Sequence, residues 1–286
     1  MALAQDGQTD SRPTLEQSFS SGELTLTTGA LLGLGLLSVW GETWLGPKGP
    51  SMGAPTEGSN DLRFSRWSNP NFDPKKQWLG GAPDFTGYLA PALGLGYYVG
   101  GSLIGGSSGY YGAYPHEALA FTEGLSWAMF TTVFLKHLVG RERPYVARGN
   151  LGELDASAVN MSKSEQLLSF PSGHSTSIAV TSFFVAADLS SALVNGPLAH
   201  SSSLSKAIVG RVLPYTGATT LSWLVMYSRI KDQRHWLSDT LIGATIGALS
   251  ALLSYHMHFD SKGQPRSRHP KPQSITNVSF NPIPSD

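Results

Sequence analysis

Residues 171–189 read Pro-Ser-Gly-His-Ser-Thr-Ser-Ile-Ala-Val-Thr-Ser-Phe-Phe-Val-Ala-Ala-Asp-Leu, a turn that opens directly into an apolar run. Proline and serine suit the first positions of a helix, and Gly173 lets the backbone come close to a ligand. The run has no apolar–polar alternation and outlasts an ordinary strand, so it predicts a helix over about 174–192. Five further runs have the same character, at about 24–40, 86–104, 117–138, 208–229 and 236–257, with loops rich in Gly, Ser and Pro between them. No strand pattern competes with them and no internal repeat is present. The expected fold is all-α, one helical bundle of about six core helices over residues 23–260.

Outside that bundle the sequence changes character. Residues 1–22 are polar, rich in Ser, Thr and Gln, and read as a loose leader. Residues 41–84 carry Pro, Gly and Asn together with Trp44, Trp67 and Trp78. That is too long and too aromatic for a linker, so an ordered excursion packed over the core is expected. The end of the chain, 261–286, holds Pro265, Pro270, Pro272, Pro282 and Pro284 and reads as an irregular tail.

Composition excludes several functions. With 286 residues the chain is long enough for one substantial domain. Its formal net charge is zero and no basic stripe stands out, which argues against a nucleic-acid partner. There is no cysteine, so disulfide frameworks, thiolate zinc sites and cysteine nucleophiles are excluded. Ala2-Leu3-Ala4 before Gln5 looks like the small-x-small end of a secretory signal, and equally like an ordinary alanine-rich start.

Several of the helical runs approach the twenty or so residues that cross a bilayer. Against this, mean hydropathy is −0.09 and the runs include Glu117, Glu123 and Asp188. An alternating arrangement would also place Lys48, Arg63, Arg66, Lys75, Lys76 and all the motifs below on one side, the reverse of the positive-inside bias for an outward-facing enzyme. The expectation is a soluble or peripheral exported domain of the periplasm or cell envelope. An integral membrane protein is the alternative. Oligomeric state is not readable.

Three short segments carry the chemistry. Lys136-His-Leu-Val-Gly-Arg-Glu-Arg143-Pro144 closes the run at 117–138, where two cations can converge on one anion. Pro171-Ser172-Gly173-His174 offers free N–H groups at a helix start, a ready phosphate site, with an imidazole beside it for proton transfer. Ser228-Arg229, five residues, His235, three residues, Asp239 puts an imidazole and a carboxylate on one helical face. A carboxylate on one ring nitrogen leaves the other basic and nucleophilic, while Arg229 suits bidentate contact with phosphate oxygens. Taken singly, each has an ordinary explanation: a basic helix end, a helix cap, a surface His–Asp pair. Together they fall on one side of an antiparallel bundle and supply the cations, nucleophile and acid that phosphoryl transfer requires.

At these residues the chain resembles the type-2 phosphatidic acid phosphatase and vanadium haloperoxidase superfamily. All three parts of its signature match in order and without substitution, at Lys136–Pro144, Pro171–His174 and Ser228–Asp239. The resemblance implies a helical bundle with one phosphate pocket and no metal or other cofactor. By that likeness His235 attacks phosphorus, Asp239 orients it, and His174 protonates the leaving alcohol and later activates water. Lys136, Arg143, Ser172, Gly173 and Arg229 hold the phosphate oxygens. The substrate is a phosphoric ester, whether a lipid phosphate or diphosphate or a soluble monoester, and vanadate is expected as an inhibitor. Two alternatives stand beside this: a haloperoxidase-like enzyme with vanadate as cofactor, and a phosphate- or lipid-binding membrane protein without turnover. The chain is shorter than expected of a haloperoxidase, and its intact histidines argue for turnover.

Weaker signals point to packing. Gly94-Leu-Gly96 follows no strand and reads as helix contact rather than a nucleotide loop, and Gly243 and Gly247 are spaced for close helix approach. His256 and His258 lack neighbouring ligands for a metal. Asn160-Met-Ser162 and Asn277-Val-Ser279 fit the glycan acceptor pattern. His137 and Arg141 read as a solvated face or the pocket mouth, and Trp236 as packing beneath the site.

Overall fold

A computed structural model of the chain describes residues 14–44, 55–73, 76, 78–105, 114–155 and 162–267. Helices α1 (Leu15–Ser18), α2 (Ser21–Trp44), α3 (Asn60–Ser68), α4 (Ala82–Gly105) and α5 (Tyr114–Val139) come first. They are followed by α6 (Pro144–Asn150), α7 (Gly173–Asn195), α8 (Ser203–Ser205), α9 (Leu213–Lys231) and α10 (Leu237–His258). A π-helical stretch, Lys206–Val212, joins α8 to α9. Among the described residues no strand forms, and an isolated bridge pairs Phe259 with Pro265. The six expected runs are therefore α2, α4, α5, α7, α9 and α10.

Local chemistry sets the ends that matter. Helix α5 stops because Gly140 takes a left-handed conformation, φ 59°, and its N–H donates to the Lys136 carbonyl at 3.1 Å. Pro144, with its φ already helical, occupies the first turn of α6, and Arg143 stands at the N-cap. Ser172 caps α7 with its side chain. The excursion contributes α3, started by Ser59, whose hydroxyl accepts from the Leu62 N–H. Within the expected leader, Leu15–Ser18 and the start of α2 at Ser21 are helical. The Thr14 N–H donates to Gln17 Oε1 at 2.9 Å, and Phe19 is buried with its ring stacked 4.1 Å from that of His258. Residues 1–13 and 268–286 lie outside the described ones, as do Asn160 and the Asn277 acceptor.

Helix α7 sits at the centre, packed against α4, α5, α9 and α10, with α2 outside α5. Its core is an aromatic cluster in which Phe184 meets Tyr98, Phe121 and Tyr255 edge-on at 5.4–5.6 Å. Truncating such a buried ring costs ~3–5 kcal/mol. The α7–α10 contact is backbone against backbone. A Cβ on Gly243 would lie 2.4 Å from the Ser172 carbonyl oxygen, and one on Gly247 2.3 Å from that of Thr176. Gly94, against Phe121 and Thr181, is likewise a packing glycine inside a helix.

The outer faces are apolar too. Leu32 of α2, Leu93 of α4, Leu221 and Trp223 of α9, and Leu249 and Leu253 of α10 are all exposed. A helix apolar on every side suits a larger core or a bilayer, not water. Three helices, Pro115–Val139, Gly173–Asn195 and Leu237–His258, are long and apolar enough to cross a membrane. The low mean hydropathy that favoured a soluble domain comes from the polar excursion and termini averaged with these helices.

Candidate active site

Helices α5 and α9 end, and α7 and α10 begin, at one end of the bundle, which brings the three motifs together. Between them lies a cavity of about 640 Å³. Its polar end is lined by Lys136, Arg143, Glu165, Gly173, His174, Arg229, Arg234 and His235. From there it runs along α5 past Val133, Met129 and Leu125, flanked by Leu31 and Leu34 of α2 and Pro91 of α4.

The cations are held from behind. Lys136 Nζ donates to the Leu168 carbonyl at 2.7 Å. Arg143 donates from Nε to the Glu165 carbonyl at 2.8 Å and from Nη1 to the Arg234 carbonyl at 2.9 Å. These partners are neutral carbonyls, so they aim the guanidinium without cancelling its charge. Burial pulls Arg143 below its ordinary pKa, as it does for any cation withdrawn from water without a counter-ion in contact. Arg229 Nη2 donates to Ser228 Oγ and to Asp232 Oδ2 at 3.0 Å.

His235 occupies the tight turn between α9 and α10. Its Nδ1 lies 2.6 Å from the Ser169 carbonyl oxygen. A carbonyl can only accept, so Nδ1 carries the proton and Nε2 keeps its lone pair. Arg143 Nη1 is 3.5 Å from that Nε2. Burial, then Arg143 and Lys136, hold His235 well below its ordinary pKa, so the ring is neutral around pH 7. A buried, neutral imidazole with one fixed N–H and an unprotonated nitrogen facing a cation is equipped to attack phosphorus.

The structure alters two expectations about individual residues. Asp239 does not bond the ring directly. Its Oδ2 is 3.9 Å from His235 Nδ1 and accepts instead from Ser169 Oγ at 2.5 Å and the Trp236 N–H at 3.0 Å. The Ser169 carbonyl stands where the carboxylate was expected. Ser172 is fully buried; its Oγ accepts from the Ser175 hydroxyl and its N–H donates to the Asp239 carbonyl. It shapes the start of α7 from beneath the cavity, while Gly173 and His174 line it.

Other residues gain places that the sequence did not assign. Arg141 and His137 are buried, not on a solvated face, and Arg141 Nη1 bonds Asp239 Oδ1 at 2.5 Å. Gln233, a non-glycine residue at φ 54°, is held by its own amide. Its oxygen accepts from Ser65 Oγ and Arg148 Nη1, and its nitrogen donates to the Ser65 and Ile230 carbonyls. Arg234 adds a fourth cation to the lining, in the five-residue spacer before His235. Trp236 is fully buried under the site, donating to the Glu142 carbonyl at 2.7 Å, as expected. His258 pairs with Glu123 at the far end of the bundle. Among the described residues no group of three His, Asp or Glu side chains is placed to hold a metal.

No solved structure matches the chain. A PA-phosphatase related-family protein of Dictyostelium discoideum is 30% identical over 152 residues, 52% of this chain and 51% of that protein. The chain thus spans about half the length of this curated relative. The PAP2 superfamily matches residues 117–262, more than half of the chain and all three motifs. The chain belongs to the PAP2 superfamily.

Proposed function

We propose that the chain hydrolyses phosphoric esters through a phosphohistidine on His235, within a membrane and on substrates with an apolar tail. The observation that carries this reading is the unprotonated Nε2 of His235, aimed by the Ser169 carbonyl into a cavity of cations that continues into an apolar passage. The phosphoryl oxygens bind Lys136, Arg143, Arg229 and the N–H groups opening α7, which together stabilise charge on the equatorial oxygens. Nε2 attacks phosphorus in line, the bond to the ester oxygen breaks, and His174 gives its proton to the leaving alkoxide. A water then attacks the phosphohistidine, losing its proton to His174, and phosphate leaves with the His235 lone pair restored.

Supporting a lipid substrate, Val133, Met129 and Leu125 recur along one face of α5, beside Leu31, Leu34 and Pro91, away from the phosphate end. Supporting an integral membrane protein over a peripheral one, the outer faces of α2, α4, α9 and α10 expose large apolar side chains. The test is hydrolysis of p-nitrophenyl phosphate and of a long-chain lipid phosphate in detergent, in EDTA, with and without orthovanadate. EDTA-resistant, vanadate-inhibited turnover, faster on the lipid, is expected. Turnover lost in EDTA and restored by Mg²⁺ or Zn²⁺ would overturn the mechanism. Bromide oxidation with vanadate and peroxide, without phosphatase turnover, would favour the haloperoxidase reading.

A further inference from the structure

We propose that Asp61, on the excursion helix α3, and Arg141, on the loop after α5, are positioning residues for His235. This inference rests on the phosphohistidine reading above. Neither residue lines the cavity, so neither touches substrate. They act through a continuous chain of bonds. Asp61 Oδ2 accepts from Arg141 Nη2 at 2.8 Å, and Arg141 Nη1 donates to Asp239 Oδ1 at 2.5 Å. Asp239 Oδ2 accepts from Ser169 Oγ at 2.5 Å, and the Ser169 carbonyl accepts from His235 Nδ1 at 2.6 Å.

Ser169 is the element that converts this chain into aim. Its N–H donates to the Arg141 carbonyl at 3.0 Å, so the backbone and the side chain of Arg141 reach Ser169 by separate routes. Its hydroxyl and its carbonyl are thus set together, and they set the direction of Nε2. Asp61 secures the other end: its Oδ1 accepts from the Ser238 N–H at 2.9 Å, which ties α3 to the first turn of α10, where Asp239 sits. The Asp239 side chain is fully buried and the Arg141 side chain 9% exposed. A carboxylate in that place needs a matched cation, and the cation needs Asp61 as its second partner. As Nε2 bonds phosphorus the ring becomes cationic, so its N–H leans harder on the Ser169 carbonyl, with the Asp239 charge behind it. The excursion therefore contributes to catalysis at a distance, although none of its described residues lines the cavity.

The test compares wild type, His235→Ala, Asp61→Asn, Arg141→Ala and Arg141→Lys in the full chain in detergent. Turnover is normalised to folded protein by thermal unfolding. Asp61→Asn keeps size and loses charge; kcat is expected to fall ~10-fold, and in Arg141→Ala ~100-fold, with Arg141→Lys between it and wild type. KM and the Ki of inorganic phosphate should stay within about twofold, because Lys136, Arg143 and Arg229 are untouched. The Ki of orthovanadate, a mimic of five-coordinate phosphorus bonded to the attacking nitrogen, should rise in step with the loss of kcat. Wild-type kcat in Asp61→Asn and Arg141→Ala overturns the proposal. So does a loss that vanishes on normalisation with the vanadate Ki unchanged, which marks a purely stabilising role. If wild type is inactive, or His235→Ala keeps turnover, it is the phosphohistidine reading that fails.

Discussion

Replacing Gly243 by alanine adds one methyl group at the closest approach of two backbones. The new carbon would lie 2.4 Å from the Ser172 carbonyl oxygen and 3.2 Å from both the Ser172 nitrogen and Thr176 Oγ1. A carbon–oxygen contact settles near 3.3 Å, so α10 and the start of α7 must part by about 1 Å. Overpacking of this kind costs ~1–3 kcal/mol, and a displacement of that size at a reacting centre costs ~100-fold in rate. The displaced backbone is the turn that presents Gly173 and His174. Thermal unfolding in detergent should show a Tm lower by ~2–10 °C, and kcat on p-nitrophenyl phosphate should fall ~100-fold. Gly96→Ala is the control, since a methyl there meets nothing within 4 Å. It should leave kcat alone and gain up to ~1 kcal/mol from helix propensity. Wild-type Tm and kcat in Gly243→Ala would refute the close approach on which the site's geometry depends.

Because burial and neighbouring cations depress the His235 pKa, the proposed nucleophile stays deprotonated below the ordinary value of ~6.5. The acid limb of kcat/KM, corrected for substrate ionisation, should therefore lie below that pH; a limb at or above it contradicts the assignment. Leu125→Trp fills the apolar passage, and kcat/KM for a long-chain lipid phosphate should drop at least ~10-fold while that for p-nitrophenyl phosphate stays within about threefold. Equal loss on both substrates would remove the passage as a tail site. The expressed chain should stay with membranes through an alkaline carbonate wash, and release by that wash would return it to the peripheral class.

The bundle was legible because its signals are long and local. Runs of about twenty residues with glycine and proline boundaries marked α2, α4, α5, α7, α9 and α10 within a few residues. Gly140, Ser172 and Pro144 act at the helix ends where their chemistry predicts. The candidate site was legible too, because Lys136, Arg143, His174, Arg229 and His235 fall inside spaced motifs and line one cavity. What sequence could not supply is the layer behind them. Asp61 lies 178 positions from Asp239 and in no motif, and only folding brings α3 onto α10. The orienting group on His235 is a backbone carbonyl, which every residue has, so no residue type announces it. Arg141 misled for the opposite reason: two positions before Arg143, it looked like one more exposed cation. Exposed apolar faces were hidden as well, since a whole-chain hydropathy averages lipid-suited helices with a polar excursion.

The most direct test of the central claim is to trap the covalent intermediate. Full-length wild type and His235→Ala are mixed with a phosphate-labelled substrate, quenched within milliseconds, and mapped by peptide analysis. The account predicts an acid-labile, base-stable phosphoryl label on the peptide bearing His235 in wild type, and none in His235→Ala, which still binds inorganic phosphate. Steady turnover with no labelled enzyme, or a label carried on any other residue, would contradict it.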